Sequence, residues 1–183
     1  DVVLVGDAVM MLTQSRPYRV GLIATQLPTL KPATMDKTAR ILSERLGKAG
    51  STLNEEQRVD HTAEAVASAL EDMKDKHDLL VVFGASAITD RLDVIPAGIE
   101  HAGGVVHSFG MPVDPGNLLL TGSVGDVPVI GAPGCARSPA ENGFDWVLQR
   151  RLAGLPTDRD YITGLGVGGL LMEIKARPQP REG

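Results

Sequence analysis

Leu79-Leu80-Val81-Val82-Phe83-Gly84-Ala85-Ser86 is the stretch of this 183-residue chain that decides its fold class. Five consecutive apolar residues ending at a glycine are typical of a strand buried on both faces. Val20-Gly21-Leu22-Ile23-Ala24-Thr25 is a second run of this kind. Strands buried on both faces need helices above and below the sheet. The two runs are therefore predicted to be adjacent, central, parallel strands.

Amphipathic segments supply the helices. The first is predicted to end at Gly50, the second leads into Leu79, and the third follows Asp93, a predicted N-cap that places Pro96 in the first turn. Ser138-Pro139-Ala140-Glu141 has the pattern of a capping box, so the last helix is predicted to begin there. The residues predicted to face the core are Met35, Ala39, Leu42, Leu46, Ala49, Ala63, Val66, Ala67, Leu70, Met73, Val94, Ile95, Ile99, Ala102, Ala140, Phe144, Val147, Leu148 and Leu152.

A β-hairpin is predicted over Leu118–Ile130, where Ser123-Val124-Gly125-Asp126 has the composition of a turn between two apolar runs. Val105–Phe109 is predicted as a further strand. Strands alternating with helices predict an α/β fold, a three-layer α/β/α sandwich with a mostly parallel sheet and one β-hairpin.

The amino-acid composition of the chain limits the kinds of partner that it is expected to bind. The chain has 18 basic and 23 acidic residues, a net charge of −5, and only 3% aromatic residues. Nucleic-acid binders usually show the opposite charge balance and stack bases on aromatic rings. No apolar run approaches membrane-spanning length, and the single cysteine, Cys135, predicts a reducing, cytoplasmic environment. We therefore expect a small-molecule ligand, with neither nucleic acid nor a membrane as partner.

Two loops follow predicted strands at the edge where ligands bind in folds of this class, Gly84–Asp90 and Pro133–Arg137. The second leads into the predicted helix at Ser138, whose free N–H groups and dipole would favour an anion. Arg137 adds a charged donor suited to phosphate. The alternative is that both loops are ordinary tight connections.

Three further patterns carry weaker functional interpretations. Gly164-Leu165-Gly166-Val167-Gly168-Gly169 fits G-x-G-x-x-G, but too few residues follow it for a βαβ unit. Gly84–Ile88 nearly matches a nucleophile elbow around Ser86, with Ile88 in place of the second glycine, and a hydrolase is the weaker alternative it leaves open. The histidines His61, His77, His101 and His107 lack metal-ligand spacing and are predicted to be surface or capping residues.

The ordered set of motifs resembles the molybdopterin-binding domain family over roughly residues 19–155. Asp114-Pro115-Gly116, the hairpin Leu118–Ile130 and Gly131-Ala132-Pro133-Gly134 resemble its Pro-Gly turn, hairpin and Pro-Gly-Asn-Pro loop. Gly84–Asp90 resembles its first glycine loop, with Asp90 at the acidic position. Met35-Asp36-Lys37-Thr38 lies where the family carries an Asp-Ser-Asn segment.

The resemblance implies a ligand, molybdopterin, and a homo-oligomer, either dimer or trimer. If the domain is catalytic, it implies Asp90 and Asp36 as catalytic carboxylates, with Asp90 available to hold Mg²⁺. The residues that it implies for ligand binding are Gly84, Ala85, Ser86, Asp114, Pro115, Gly116, Pro133, Gly134, Cys135, Arg137 and Ser138.

Gly134–Pro139, Asn142–Trp146 and Gly166–Leu171 are similar to a bacterial subgroup in which this domain is fused to a nucleotidyltransferase domain like the molybdenum-cofactor cytidylyltransferases. On that interpretation residues 1–18 are a flanking strand or linker remnant, residues 19–155 the binding domain, and residues 156–183 an extension and linker.

Departures from the family pattern favour binding over catalysis. Ala85 replaces a glycine, Cys135-Ala136 replaces Asn-Pro, and Gln26-Leu27 stands where insertion enzymes carry an Asp-Glu pair. We expect a domain that holds molybdopterin and delivers it to an attached nucleotidyltransferase. The alternatives are an adenylyltransferase or molybdate-insertion enzyme, and a domain that kept the fold without the site. Cys135 is either a small residue filling a tight loop or a thiol activated by the helix start.

Overall fold

The computed structural model describes residues 2–5, 8–11 and 17–166. The strands are β1 (Val2–Val5), β2 (Ala8–Met11), β3 (Arg19–Gln26), β4 (Thr52–Asp60), β5 (Leu79–Phe83), β6 (Val105–Phe109), β7 (Leu120–Val124) and β8 (Val127–Ala132). The helices are α1 (Pro32–Gly47), α2 (Ala63–Lys74), α3 (Val94–His101), α4 (Gly143–Leu152) and α5 (Arg159–Gly164), with a 3₁₀ turn at Gly134–Arg137.

Six strands form the main sheet in the order β4-β3-β5-β8-β7-β6. β3 pairs in parallel with both β4 and β5, and β5 pairs in parallel with β8. β7 pairs antiparallel with β6 and β8. The predicted adjacency of the two apolar strands and the predicted hairpin are both confirmed.

Two hydrophobic clusters cover the two faces of this sheet. Leu79, Val81 and Phe83 of β5 pack with buried residues of α1, α4 and α5, whereas Leu80 and Val82 pack with those of α2 and α3. Alternate side chains of one strand thus enter opposite cores, as expected for a strand buried on both faces. The predicted three-layer α/β/α sandwich is confirmed.

The sequence prediction missed β4. This strand lies at the edge of the sheet and carries Glu55, Glu56, Gln57 and Arg58, so only Leu53 and Val59 are apolar. An edge strand with charged side chains resists pairing with other chains, but it lacks the apolar run used to recognise strands. The omission affects the site, because the residue after β4 lies at the same edge as the ligand loops.

The predicted start of the last helix was wrong. α4 begins at Gly143, five residues after Ser138, and its capping box uses Asn142 and Asp145. The Ser138 hydroxyl instead accepts a hydrogen bond from the N–H of Ala140, which is exposed and not part of the core. The capping box forms at Asn142 and Asp145 instead of at Ser138, because Asp145 also forms a buried ion pair that is described below.

At the two ends of the chain, β1 and β2 form a separate two-stranded sheet, and Ile162 of α5 is buried in the core of the main domain. The second half of the G-x-G-x-x-G pattern, and residues 167–183 of the extension and linker predicted over 156–183, lie outside the described residues. None of the described helices combines the length and the apolar character needed to span a bilayer.

Candidate ligand site at the carboxyl edge of the sheet

Arg137 joins the two predicted ligand loops. Its Nη2 donates to the carbonyl oxygen of Gly84 at 2.7 Å, and its Nη1 donates to Oγ1 of Thr38 on α1 at 2.8 Å. The guanidinium carbon lies 5.0 Å from the centre of the Phe83 ring. The loops after β5 and β8 therefore meet at one place, as the parallel pairing of their strands requires.

The charge of Arg137 has no counter-charge in these contacts. Both hydrogen-bond partners are neutral, and no carboxylate among residues 17–166 forms an ion pair with it. Burial lowers the pKa of its guanidinium by removing water from the charged form. A half-buried, unneutralised cation at a loop junction is a favourable place for a ligand anion.

Arg45 on α1 fixes the shape of the second loop. Its Nε and Nη2 bond both carboxylate oxygens of Asp145, with the shorter distance 2.6 Å, and the two side chains are only 8% and 11% exposed. The same guanidinium donates to the carbonyl oxygens of Ala136 at 2.6 Å and Ser138 at 2.8 Å. The loop is thus held by a buried, fully paired cation.

Nothing in the local sequence around Arg45 identified it. It stands in an amphipathic helix where a basic residue is ordinary, and its partners are 91 to 100 residues away. The helix start near Ser138, on which the sequence argument for an anion site partly rested, is not there. The segment Gly134–Arg137 is a single 3₁₀ turn. At the true helix start the Asn142 side chain accepts from the N–H of Phe144, and the Asp145 carboxylate accepts from the N–H of Asn142.

Asp93 is the N-cap residue of α3, as predicted, but its carboxylate bonds the backbone of the first loop instead of the helix. One of its carboxylate oxygens accepts from the N–H of Thr89 at 2.6 Å and of Asp90 at 2.8 Å, and it makes no side-chain bond into the helix. These backbone bonds lower the pKa of the Asp93 carboxyl. Asp90 itself accepts from the N–H of Leu92 at 2.8 Å, so part of its carboxylate maintains the loop.

Asp36, the second predicted catalytic carboxylate, is engaged by Arg58 of β4 at 2.6 Å. Within residues 17–166 and the two N-terminal strands, no three His, Cys, Asp or Glu side chains are grouped so as to hold a metal ion. Mg²⁺ usually takes one or two carboxylates besides substrate oxygens. The described residues therefore do not supply a complete set of metal ligands, and Asp90 as a single carboxylate ligand to Mg²⁺ stays a prediction.

Asp114-Pro115-Gly116 lies between β6 and β7, with a cis peptide bond before Pro115. Its contact is with the start of α4, where the N–H of Gly143 donates to the carbonyl oxygen of Pro115 at 2.9 Å. Because β6 runs parallel to β8, this turn lies at the same edge of the sheet as the ligand loops.

Cys135 lies in the 3₁₀ turn and is half-buried. Burial raises the pKa of its thiol, and this outweighs the backbone hydrogen bonds that lower it. The helix start that the hypothesis of an activated thiol invoked is not beside Cys135, since α4 begins only at Gly143, and this geometry favours a small side chain in a tight loop.

We expect Cys135 to react with a disulfide reagent at pH 7 more slowly than cysteine in a short peptide, because less of it is thiolate and access is restricted. Stopped-flow labelling of the folded chain checks this. The same chain in urea should label at the peptide rate. Equal rates in both states would contradict the assignment.

His61 was predicted to be a surface or capping residue but lies between two hydroxyls. Its Nδ1 is 2.8 Å from Oγ1 of Thr25, and its Nε2 is 2.8 Å from Oγ of Ser86. Recognising β4 would have placed His61 at the carboxyl edge of the sheet. His77 is buried and not on the surface, but its Nδ1 is 2.9 Å from the Met73 carbonyl oxygen in the last turn of α2, which agrees with the predicted capping role.

The fold and the site define an α/β domain with loops gathered at the carboxyl edge of its sheet, and solved structures share that fold. A MoeA molybdopterin biosynthesis protein from Pyrococcus horikosii matches with 21% identity and a TM-score of 0.53, covering 77% of this chain and 34% of its own. Molybdenum cofactor biosynthesis protein B matches with 17% identity and a TM-score of 0.53, covering 76% and 96%. A CinA protein of unknown function from Thermoplasma acidophilum matches with 15% identity and a TM-score of 0.57, covering 74% and 98%.

These identities establish the fold alone, and the chain spans about a third of the length of the MoeA protein. No curated protein matches the sequence significantly. The family profile described as "Probable molybdopterin binding domain" matches residues 2–154. The chain belongs to this molybdopterin-binding domain family of molybdenum cofactor biosynthesis.

Proposed function

We propose that this domain holds molybdopterin by its phosphate group between the loops 84–90 and 133–138 and delivers the cofactor to a nucleotidyltransferase. The observation that carries the proposal is Arg137, a half-buried cation whose partners are both neutral and which lies where the two loops meet. A bound phosphate would supply the missing negative charge.

The residues proposed to line the ligand have different contributions. Gly84, Ala85 and Ser86 offer backbone and a hydroxyl after β5, and Arg137 offers the charge. The remaining proposed contacts are with Pro133, Gly134, Cys135, Ser138 and the turn Asp114-Pro115-Gly116. Arg45 acts through the second loop, whose carbonyl groups it fixes.

Holding is favoured over catalysis because the two candidate carboxylates already have partners. Asp36 is paired with Arg58, and Asp90 bonds the backbone of its own loop. A carboxylate that clamps a metal against phosphate needs free oxygens directed at the substrate. The proposed function accordingly does not require Mg²⁺, and catalysis by adenylyl transfer or molybdate insertion remains the alternative.

Titration of the purified chain with molybdopterin, with and without Mg-ATP, tests the proposal. Saturable binding without turnover is the expected result, and addition of a molybdenum-cofactor cytidylyltransferase should draw the ligand away. Formation of an adenylylated product would establish the enzyme alternative, and absence of binding would overturn the proposal. Light scattering on the same samples tests the predicted homo-oligomer.

Arg137→Ala should weaken molybdopterin binding by about 1.5–3 kcal/mol, the range for a hydrogen bond to a charged group. Isothermal titration gives the affinity, and circular dichroism confirms folding. The matched control is Arg40→Ala, which removes an exposed arginine of α1 that forms an exposed ion pair with Glu44. Equal affinities for the two variants would remove Arg137 from the site.

A further inference from the structure

Three side chains from three parts of the chain form one line of hydrogen bonds at the site edge. The backbone N–H of Ala85 donates to Oγ1 of Thr25 at 2.7 Å. Oγ1 of Thr25 is 2.8 Å from Nδ1 of His61, and Nε2 of His61 is 2.8 Å from Oγ of Ser86. Thr25 lies near the carboxyl end of β3, and His61 directly follows β4. The positions of Thr25 and His61 in this line are therefore set by the strand ends and not by the loop sequence.

The direction of the hydrogen bonds follows from counting donors. A backbone N–H can only donate, so the hydroxyl oxygen of Thr25 accepts from Ala85. Thr25 is fully buried, and within the described part of the chain Nδ1 of His61 is the one acceptor in reach of its single hydroxyl hydrogen. A buried hydroxyl is rarely left without an acceptor. Thr25 therefore donates to Nδ1, and the neutral imidazole carries its hydrogen on Nε2.

Nε2–H then donates to Oγ of Ser86. Because that oxygen accepts from His61, the hydroxyl hydrogen of Ser86 is free to point away from the imidazole. Ser86 is exposed, whereas Thr25 is fully buried. The line of hydrogen bonds thus begins at the partly buried backbone amide of Ala85 and ends in a hydroxyl donor at the surface of the first ligand loop.

We propose that Thr25 and His61 are positioning residues which turn the Ser86 hydroxyl into an oriented donor for a phosphate oxygen. This inference rests on the proposed function for the identity of the ligand, but its geometry stands without it. The arrangement favours an anion over a cation, because each group donates its hydrogen bond in the direction of the ligand. A chain of aligned hydrogen bonds also strengthens its last donor.

The same tautomer bears on the weaker hydrolase interpretation of Ser86. A general base for a serine nucleophile needs a lone pair on the nitrogen that faces the hydroxyl. Here the nitrogen facing Ser86 carries the hydrogen. His61 therefore cannot take the Ser86 proton, and the pair acts in binding.

The tautomer can be measured without a ligand. Long-range ¹H–¹⁵N correlation spectra of the intact chain at neutral pH should show His61 as the Nε2–H form. The signal is assigned by its loss in His61→Gln. Thr25→Val should shift His61 toward the Nδ1–H form or a mixture, whereas Thr25→Ser should keep Nε2–H. An Nδ1–H form in the unaltered chain would overturn the inference.

Ligand recognition is tested with inorganic phosphate and with molybdopterin. Following the amide signals of Ser86 and Ala87, we expect saturable phosphate binding that weakens about tenfold in Thr25→Val and Ser86→Ala but not in Thr25→Ser. His101→Gln, which changes an exposed histidine of α3, is the matched control. Thermal melting establishes that each variant is folded.

The outcomes separate this inference from the proposed function. Phosphate binding that depends on Thr25, without molybdopterin binding, would support the inference and overturn the proposed function. Molybdopterin binding that is equal in Thr25→Val, Thr25→Ser and the unaltered chain would overturn the inference and leave the proposed function standing. Absence of any phosphate effect at Ser86 would also overturn the inference.

Discussion

Arg45→Ala is expected to lower the free energy of unfolding by about 3–5 kcal/mol, the range for removing one partner of a buried ion pair. The variant leaves the Asp145 carboxylate buried and unpaired and removes the donor to the carbonyl oxygens of Ala136 and Ser138. The loop 133–138 should then lose its fixed shape. Molybdopterin affinity should fall with it, even though Arg45 is not proposed to touch the ligand.

Urea denaturation followed by circular dichroism measures the change, with Arg40→Ala as the control on the same helix. The control should change little, because its ion pair with Glu44 is exposed to solvent. Adding Asp145→Asn to Arg45→Ala should recover part of the loss, since the unpaired charge disappears while an acceptor for the Asn142 N–H remains. Equal stability of Arg45→Ala and the control would show that the pair does not hold the loop.

Gly116→Ala is expected to cost about 2–4 kcal/mol, combining backbone strain with overpacking. Gly116 has a φ of +131°, which side-chain-bearing residues rarely adopt. An added Cβ would also lie 3.0 Å from both the Cα and the N of Gly143, and 2.8 Å from Cε of Met111. The turn 114–116 would have to move away from the start of α4.

Gly125→Ala separates the two contributions. Gly125 also has a positive φ, +56°, but an added Cβ there meets nothing within 4 Å. The control should cost about 1–2 kcal/mol from backbone strain alone. Thermal melts of both variants give the difference, and a Gly116→Ala loss no larger than the control would show that the contact with Gly143 is loose.

The sequence by itself determined the layers, the central strands and the two loops that meet at the site. Two strands are apolar on both faces, Val20–Thr25 and Leu79–Phe83. This property can be recognised from the residue types alone, because it depends on burial and not on particular partners. The ordered motifs around 84–90, 114–116 and 131–134 indicated the molybdopterin-binding family, which the profile match over residues 2–154 confirms. Membership follows from short segments, so a single sequence suffices for it.

Only the tertiary structure decided which residues shape the site. β4 was missed because an edge strand with charged side chains has no apolar run. The position of His61, which follows β4, was missed for the same reason. The capping box at Ser138 gave way to the one at Asn142, because Asp145 gains a buried partner in Arg45, 100 residues away. Hydrogen bonds and ion pairs between distant residues leave no periodic trace in a sequence. They form where the strand order brings the bonding residues together, and that order is a property of the folded chain.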